Sequence, residues 1–121
     1  MSHTMKMYVY NNSGHTLEGY NVDHAWNDKT QTAHGENLPY QKLSPPTECI
    51  TGYGPEKDWY TISVNIDSIG HKSTDFYCNS SHDHKCVEIS VHDEYVNCNY
   101  YKEDTPEGHS PDTSCKHKHY R

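Results

Sequence analysis

The chain has 121 residues, enough for one domain with its own core but too few for two. Its formal net charge is −7 at pH 7, so no excess of Lys and Arg exists to neutralise phosphates, which argues against a nucleic acid as binding partner. Only 31% of the residues are apolar, yet eleven Tyr and two Trp can fill a core and five Cys can cross-link it. We therefore predict that residues 1–121 form one thin-cored domain supported by disulfides.

The first ten residues, MSHTMKMYVY, lack the continuous apolar stretch of a secretory signal, and no window of the sequence is apolar enough to span a membrane. Two short patterns match the acceptor for N-linked glycans, at residues 11–13 and 79–81, and the Cys content is typical of an oxidising compartment. These features favour an extracellular location if a leader was removed. They leave the compartment and the oligomeric state undetermined.

Alternating apolar and polar residues predict the first strands. Residues 5–10 alternate cleanly before the turn-prone NNSG, and residues 16–26 can form a second strand. Residues 27–37 are polar and rich in turn-forming residues, so we expect a loop there. Pro45 and Pro46 then indicate a rigid connection into a short extended segment.

The second half of the chain continues in the same style. Its strongest strand signal is WYTISVNI, residues 59–66, where every second residue from Tyr60 onward is aromatic or aliphatic. Further strands are predicted at residues 74–78, at 85–91 and from Tyr95. Residues 102–114 are acidic and lack large apolar residues, so they predict a long surface loop. Six or seven short strands without helical periodicity predict an all-β, single-domain antiparallel β-sandwich, immunoglobulin-like in general plan, with a barrel as the alternative.

Two segments near the end of the chain mirror each other. HDHKC, residues 82–86, is CKHKH, residues 115–119, read backwards. If the two are adjacent antiparallel strands, a single register creates three facing pairs, which are Cys86 with Cys115, His84 with His117 and His82 with His119. We therefore predict a final strand at residues 115–119.

This register predicts both a cross-link and a metal site. Facing Cys residues have nearly the spacing of a disulfide, so we expect a Cys86–Cys115 bridge. The four imidazoles of His82, His84, His117 and His119 would then offer nitrogen ligands to zinc, copper or nickel. Three alternatives remain: a Cys78–Cys86 bridge, only adventitious metal binding, and a reduced chain in which two His and one Cys bind the metal.

Catalytic chemistry is less well supported by the sequence. Many Ser, His and Asp residues make chance combinations inevitable, and no spacing singles out a nucleophilic triad. His24 and His92 each follow or precede an acid, Asp23 and Asp93, and could serve as a general acid and base. We instead expect these four to be polar residues at strand ends, and we predict no catalytic residue.

Aromatic residues close to Gly, Asn and Asp favour ligand binding. Such mixtures stack on a sugar ring while hydrogen-bonding its hydroxyls, or seat a ring at a lipid headgroup. The turn TGYGPEKDW, residues 51–59, is the best candidate for an exposed recognition edge. The predicted ligand-binding residues are Trp26, Tyr53, Asp58, Trp59 and Tyr60. The alternative is a Tyr-rich core.

Several stretches also carry a family resemblance. They are VYNNSGHTLEGYNVDHAW, LPYQKLSPPT, TGYGPEKDWYTISV and the Cys-containing FYCNSSHDHKCVEISV. The matching residues are Asn12, Ser13, Leu17, His24, Trp26, Leu43, Gly54, Asp58 and Trp59. Over roughly residues 7–92 the chain resembles small proteins that are up-regulated when insulin-like signalling is lost. Tyr60 stands where that family has a second Trp, and the Cys- and His-rich end has no counterpart.

This resemblance implies a small β-sandwich and little about activity. The strand pattern and acidity are more loosely similar to those of the aegerolysins, compact β-sandwich proteins that recognise membrane lipids. We predict a non-enzymatic stress- or defence-type binding protein for a glycan or lipid headgroup. The alternatives are a small metal- or His-dependent hydrolase, such as a nuclease-like toxin, and a metal-sequestering protein. Protonating all eleven His would change the formal charge from −7 to +4, so we also expect pH-dependent association.

Overall fold

The computed structural model describes residues 2–52, 57–115 and 117–121, and in these ranges it contains strands but no helix. The strands are β1 (Ser2–Asn11), β2 (Leu17–Trp26), β3 (Lys29–Leu38), β4 (Thr47–Gly52), β5 (Asp58–Ile66), β6 (Gly70–Cys78), β7 (Cys86–Val91), β8 (Tyr95–Tyr101), β9 (Thr113–Ser114) and β10 (Lys118–His119). They form two sheets that pack face to face, which confirms the predicted β-sandwich. The described residues therefore include no helix that could cross a membrane.

The two sheets differ in how their strands pair. One sheet has four antiparallel strands in the order β3-β2-β5-β6. The other has six strands in the order β10-β8-β7-β1-β4, and β9 also pairs with β8. Within it β1 pairs in parallel with β7, with Val9 opposite Ile89, so the expectation of a purely antiparallel fold is wrong for this one pair. Both β9 and β10 lie along β8, so the end of the chain follows one edge of the six-stranded sheet.

The core lies between the sheets and follows the predicted alternation. Val22 and Ile62 face inward from the four-stranded sheet, and Met7, Ile89 and Val96 face them from the six-stranded sheet, all excluded from solvent. Side chains of a strand alternate between its two faces, so the sequence pattern places them together. Full burial of each aliphatic side chain contributes about 1.5–3 kcal/mol of stabilisation.

Residues 27–37 are not the predicted loop, because they contain a two-residue turn and most of strand β3. Asn27, at a φ of 57°, and Asp28 form the turn, and Trp26 then pairs with Lys29. The segment is polar because β3 is the outer strand of its sheet and turns much of its surface to solvent. Only Ala33 and Leu38 of β3 enter the core.

The segment at residues 102–114 forms the predicted surface loop except at its end, where Thr113 and Ser114 pair with β8. The loop covers the outer face of the six-stranded sheet. There the Tyr8 hydroxyl donates to the carbonyl oxygen of Asp104 at 2.8 Å. Tyr8, Cys86 and Tyr101 form a second, smaller apolar cluster on this face.

The predicted pairing of residues 82–86 with residues 115–119 is wrong. Strand β7 is an internal strand, with β1 on one side and β8 on the other, so no edge of it is free to accept the end of the chain. The chain end pairs instead with the outer edge of β8, where Lys118 lies opposite Val96 and His119 opposite Tyr95.

One of the two glycan acceptor patterns is inaccessible. The Asn11 side chain is fully buried, and its amide donates to the carbonyl oxygens of His15 at 2.7 Å and Leu38 at 2.8 Å. Its amide nitrogen is therefore committed to the fold. Asn79, the acceptor in the second pattern, is exposed.

Candidate functional site

The predicted Cys86–Cys115 disulfide is wrong, and so is the alternative Cys78–Cys86 bridge. Cys115 is bonded to Cys78, with the two Cα atoms 6.2 Å apart. Cys86 is a buried free thiol, as are Cys49 and Cys98. The bond joins the end of β6 in one sheet to the segment that follows β9 in the other, so it ties the two sheets together along one edge of the sandwich.

The predicted four-His site is also wrong, because the structure separates its members. His84 is buried, stacks on Tyr100 and donates from Nε2 to Oδ2 of Asp112 at 2.7 Å. Its Nδ1 accepts the backbone N–H of Ser81 at 2.8 Å, so both ring nitrogens have partners. His82 is exposed in the turn before it.

The remaining two His residues of that prediction lie near the opposite end of β8. The ring of His117 is 4.5 Å from that of Tyr95, and the ring of His119 is 5.9 Å from it. His92 stacks on the same Tyr95 at 4.2 Å. Tyr100 lies five positions beyond Tyr95 on an extended strand, about 16 Å of chain, so these rings cannot share a metal ion with His84.

Of the five predicted ligand-binding residues, three are buried. Tyr60 has no exposed surface, Asp58 is 1% exposed and Trp26 is 8% exposed. Of the four that lie among the described residues, only Trp59 reaches the surface, where it contacts Tyr77 edge to face at 4.1 Å. Tyr53 lies outside the described residues. The alternation in WYTISVNI already indicated that Tyr60 is buried, because Tyr60 and Ile62 lie on the same face of β5.

The buried Asp58 is the centre of a polar network that the sequence analysis missed. Its Oδ1 accepts hydrogen bonds from His24 Nε2 at 2.7 Å and from the Thr51 hydroxyl. Its Oδ2 accepts the Tyr100 hydroxyl at 3.0 Å, and the Tyr60 hydroxyl lies 2.9 Å from that of Tyr100. Burial alone would raise the pKa of Asp58, but these hydrogen bonds and the neighbouring imidazole outweigh it, so the pKa is lowered.

Both ring nitrogens of His24 have close polar neighbours. Nδ1 lies 3.3 Å from Oε1 of Gln31, and the same oxygen accepts the Ile50 N–H at 3.1 Å. Nε2 lies 2.7 Å from Oδ1 of Asp58, and both side chains are closed to solvent.

The geometry does not join His24 and His92 into an acid–base pair. His24 faces Asp58 and is closed to solvent, whereas Asp23 points outward and accepts the Thr32 hydroxyl at 2.6 Å. His92 is half-buried, and its Nε2 lies 3.1 Å from Oδ1 of Asn97. Burial lowers the pKa of His92.

An open cleft of about 740 Å³ lies at one end of the sandwich. Turns that follow β1, β5 and β7 meet there with the β3–β4 connection and the C-terminal residues. Its polar and aromatic lining includes Tyr40, Lys72, Asp93, Tyr95, Tyr120 and Arg121. The sequence analysis singled out none of these as ligand-binding residues, because they come together only through the fold from turns distant in sequence.

The cleft contains both a side chain that is held by a hydrogen bond and a side chain that is exposed to solvent. The Tyr120 hydroxyl donates to the carbonyl oxygen of His92 at 2.8 Å, which holds this ring in the wall. Tyr40 is 46% exposed and leaves a ring face open to a ligand. Oδ1 of Asp93 is buried and has no hydrogen-bond partner among the described residues, while its Oδ2 lies 3.9 Å from His15 Nε2. Because Oδ1 has no accessible surface, Oδ2 is the oxygen of Asp93 that a ligand in the cleft can reach.

No family model matches the chain, and no curated protein matches it. The resemblance to proteins up-regulated on loss of insulin-like signalling, and the looser one to aegerolysins, therefore stay predictions. The candidate site is defined by its geometry.

Proposed function

We propose that the protein is a non-enzymatic binding protein of a stress or defence type, whose cleft takes the polyhydroxylated ring of a glycan or of a sugar-bearing lipid headgroup. The observation that carries the proposal is the Asp93 carboxylate, whose side chain is 45% exposed, in a cleft that also contains the exposed ring of Tyr40. Sugar rings present hydroxyl donors at their edge and C–H groups on their face, which match these two side chains.

The charged side chains of the cleft favour a ligand that carries hydroxyl groups. A hydrogen bond from a ligand hydroxyl to the accessible part of the Asp93 carboxylate contributes roughly 1.5–3 kcal/mol, because the acceptor is charged. Lys72 and Arg121 line the same cleft and add donors for ring oxygens or for an acidic substituent. Arg121 is held in place by an ion pair with Asp75.

The other two candidate functions have less support. A His-dependent hydrolase needs an accessible imidazole next to a nucleophile. The two His–acid contacts at 2.7 Å, His24 with Asp58 and His84 with Asp112, both involve imidazoles that are closed to solvent. A metal-sequestering protein that uses the four predicted His residues lacks the required cluster, since His84 is remote from His117 and His119.

A glycan array, followed by calorimetric titration of the best ligand, tests the proposal. Phosphatidylcholine vesicles with and without a ganglioside then distinguish a free glycan from a lipid headgroup. We expect Asp93→Ala and Tyr40→Ala each to weaken binding by about tenfold or more, the equivalent of one charged hydrogen bond or one stacked ring. Tyr77→Ala is the matched control, because Tyr77 is a 61% exposed ring outside the cleft.

Two results would overturn the proposal. One is the absence of any signal on the array and on both kinds of vesicle. The other is hydrolysis of RNA or of an ester that disappears in a single His→Ala variant, which would favour an enzyme. Equal losses in Tyr40→Ala and Tyr77→Ala would place the binding surface outside the cleft and contradict the assigned site.

A further inference from the structure

Three sulfur atoms meet between the two sheets. The Sγ atoms of Cys78, Cys98 and Cys115 all lie within 4.8 Å of one another. Cys78 ends β6 of the four-stranded sheet, Cys98 lies in the middle of β8 of the six-stranded sheet, and Cys115 follows β9. The backbone N–H of Cys115 donates to the carbonyl oxygen of Cys98 at 2.8 Å, which fixes the chain end beside β8. The fold therefore brings together three Cys residues that are distant in sequence.

The three Cys residues of the cluster differ in their exposure to solvent. Cys98 is fully buried, whereas Cys78 and Cys115 are half-buried at the edge of the sandwich. Tyr60 and Tyr100 belong to the same buried core cluster as Cys98. Burial raises the pKa of the Cys98 thiol, so it stays protonated and unreactive unless a cation takes the place of its proton.

We propose that reduction of the Cys78–Cys115 bond converts this cluster into a three-thiolate site for a thiophilic d10 cation, Cu(I) or Zn(II). Thiolate sulfur is the ligand that both ions favour. Three donors suit a trigonal Cu(I) ion, whereas Zn(II) needs a fourth ligand. Among the residues that the structure describes no His, Asp or Glu joins the cluster, so water would complete a zinc site.

The chemistry balances with a trialkylphosphine and water as co-reactants. The phosphine gives two electrons to the Cys78–Cys115 bond and takes the oxygen of one water molecule, and the two protons of that water go to the two sulfur atoms. Cation binding then releases three thiol protons to solvent, one from each Cys. A chelator that removes the cation allows each thiol to regain a proton. A small-molecule disulfide such as oxidised glutathione then takes two electrons and two protons from Cys78 and Cys115, which restores their bond and leaves Cys98 as a free thiol, as the structure has it.

The site predicts a direct effect on the fold. In the oxidised protein the disulfide joins the chain end to β6. In the reduced protein the cation would make the same connection through Cys78 and Cys115 and would add Cys98 of β8. We therefore expect the metal form to hold the chain end as the disulfide does.

Metal loading of the reduced, desalted protein under argon tests the proposal, with Cu(I) and Zn(II) added separately in competition with a chromogenic chelator. We expect about one cation per chain, thiolate-to-copper absorption in the near ultraviolet in the Cu(I) sample, and no binding by the oxidised protein. Cys98→Ser should weaken binding by at least about tenfold, since it removes one of three ligands. Cys86→Ser is the matched control, because Cys86 is another buried free thiol but lies on the outer face of its sheet.

Retained binding in Cys98→Ser, equal loss in Cys86→Ser, or binding by the oxidised protein would each overturn the proposal. Reduction alone can also unfold the chain, and circular dichroism measures this separately. If the reduced protein loses its sheet signal, its return on addition of Cu(I) or Zn(II) supports the site. Failure of both cations to restore that signal contradicts it.

Discussion

Nε2 of His24 lies 2.7 Å from Oδ1 of Asp58, and both side chains are buried. The two residues belong to neighbouring strands of the four-stranded sheet, while Thr51 and Tyr100, which also donate to Asp58, belong to the six-stranded sheet. One carboxylate thus receives hydrogen bonds from both layers of the sandwich. Buried charge is tolerated only when it is paired and fully hydrogen-bonded, so each donor in this network matters for stability.

Asp58→Asn should destabilise the protein by about 1.5–3 kcal/mol or more, because the hydrogen bonds from His24, Thr51 and Tyr100 would lose their charged acceptor. Urea unfolding followed by Trp fluorescence at neutral pH measures the change. Asp23→Asn is the matched control, since Asp23 is an outward-facing carboxylate that accepts hydrogen bonds from Thr32 and Asn21. We expect it to cost less than about 1 kcal/mol. Equal effects of the two substitutions would contradict the role of Asp58 as the central acceptor of the buried network.

Acid should weaken the fold through the same carboxylate. The pKa of Asp58 is lowered in the folded protein, whereas in the unfolded chain it has the ordinary value of about 3.9. Between these two values the unfolded chain binds the extra proton, so the contribution of Asp58 is complete above the unfolded pKa and is lost as the pH falls through the folded one. The hydrogen bond from His84 likewise lowers the pKa of Asp112, which adds to the acid sensitivity.

The check is the free energy of unfolding measured from neutral pH down to about pH 2, in the wild type and in Asp58→Asn. We expect the variant to lose stability less steeply below about pH 4, because only the wild type has Asp58 to protonate. Parallel curves for the two proteins would show that Asp58 does not titrate with folding.

The strands of this fold were predictable wherever one face is apolar and the other polar. The alternation around Ile62 and Ile89 placed β5 and β7, because a strand with one buried face repeats every two residues. Strand β3 has no such pattern, since it lies at the edge of its sheet and buries only Ala33 and Leu38. Its prediction as a loop was therefore wrong for a physical reason, namely that an edge strand needs little apolar surface.

Pairing and site geometry were less predictable, because they depend on contacts between distant strands. The mirror symmetry of the two His- and Cys-rich segments satisfied a local rule, but β1 and β8 already occupy both sides of β7. The Asp58 network likewise draws His24, Thr51 and Tyr100 from three other strands. The spacing of these residues in the sequence does not indicate that they lie together in the folded protein.

Tyr100→Phe should destabilise the protein by about 1.5–3 kcal/mol, because its hydroxyl donates to the charged Oδ2 of Asp58 in the core. Tyr101→Phe is the matched control, one residue away on the opposite face of β8. Its hydroxyl reaches the half-buried Glu88 at 3.3 Å, so we expect a loss of only about 0.5–1 kcal/mol. Chemical denaturation of both variants gives the comparison, and a larger effect at Tyr101 would contradict the role given to Asp58.

The disulfide should stabilise the oxidised protein mainly by restricting the unfolded chain. Cys78 and Cys115 are 37 residues apart, and closing a loop of this length is worth about 3–4 kcal/mol in the chain-entropy description. Cys115→Ser should lose this amount in urea unfolding without reductant, and hydrogen exchange should increase first at Lys118 and His119, a two-residue strand that pairs with the outer edge of β8. With a metal chelator and a phosphine present, wild type and variant should unfold at the same urea concentration. A difference that persists there would mean that the Cys115 side chain stabilises the fold by packing, because no disulfide then remains to be lost.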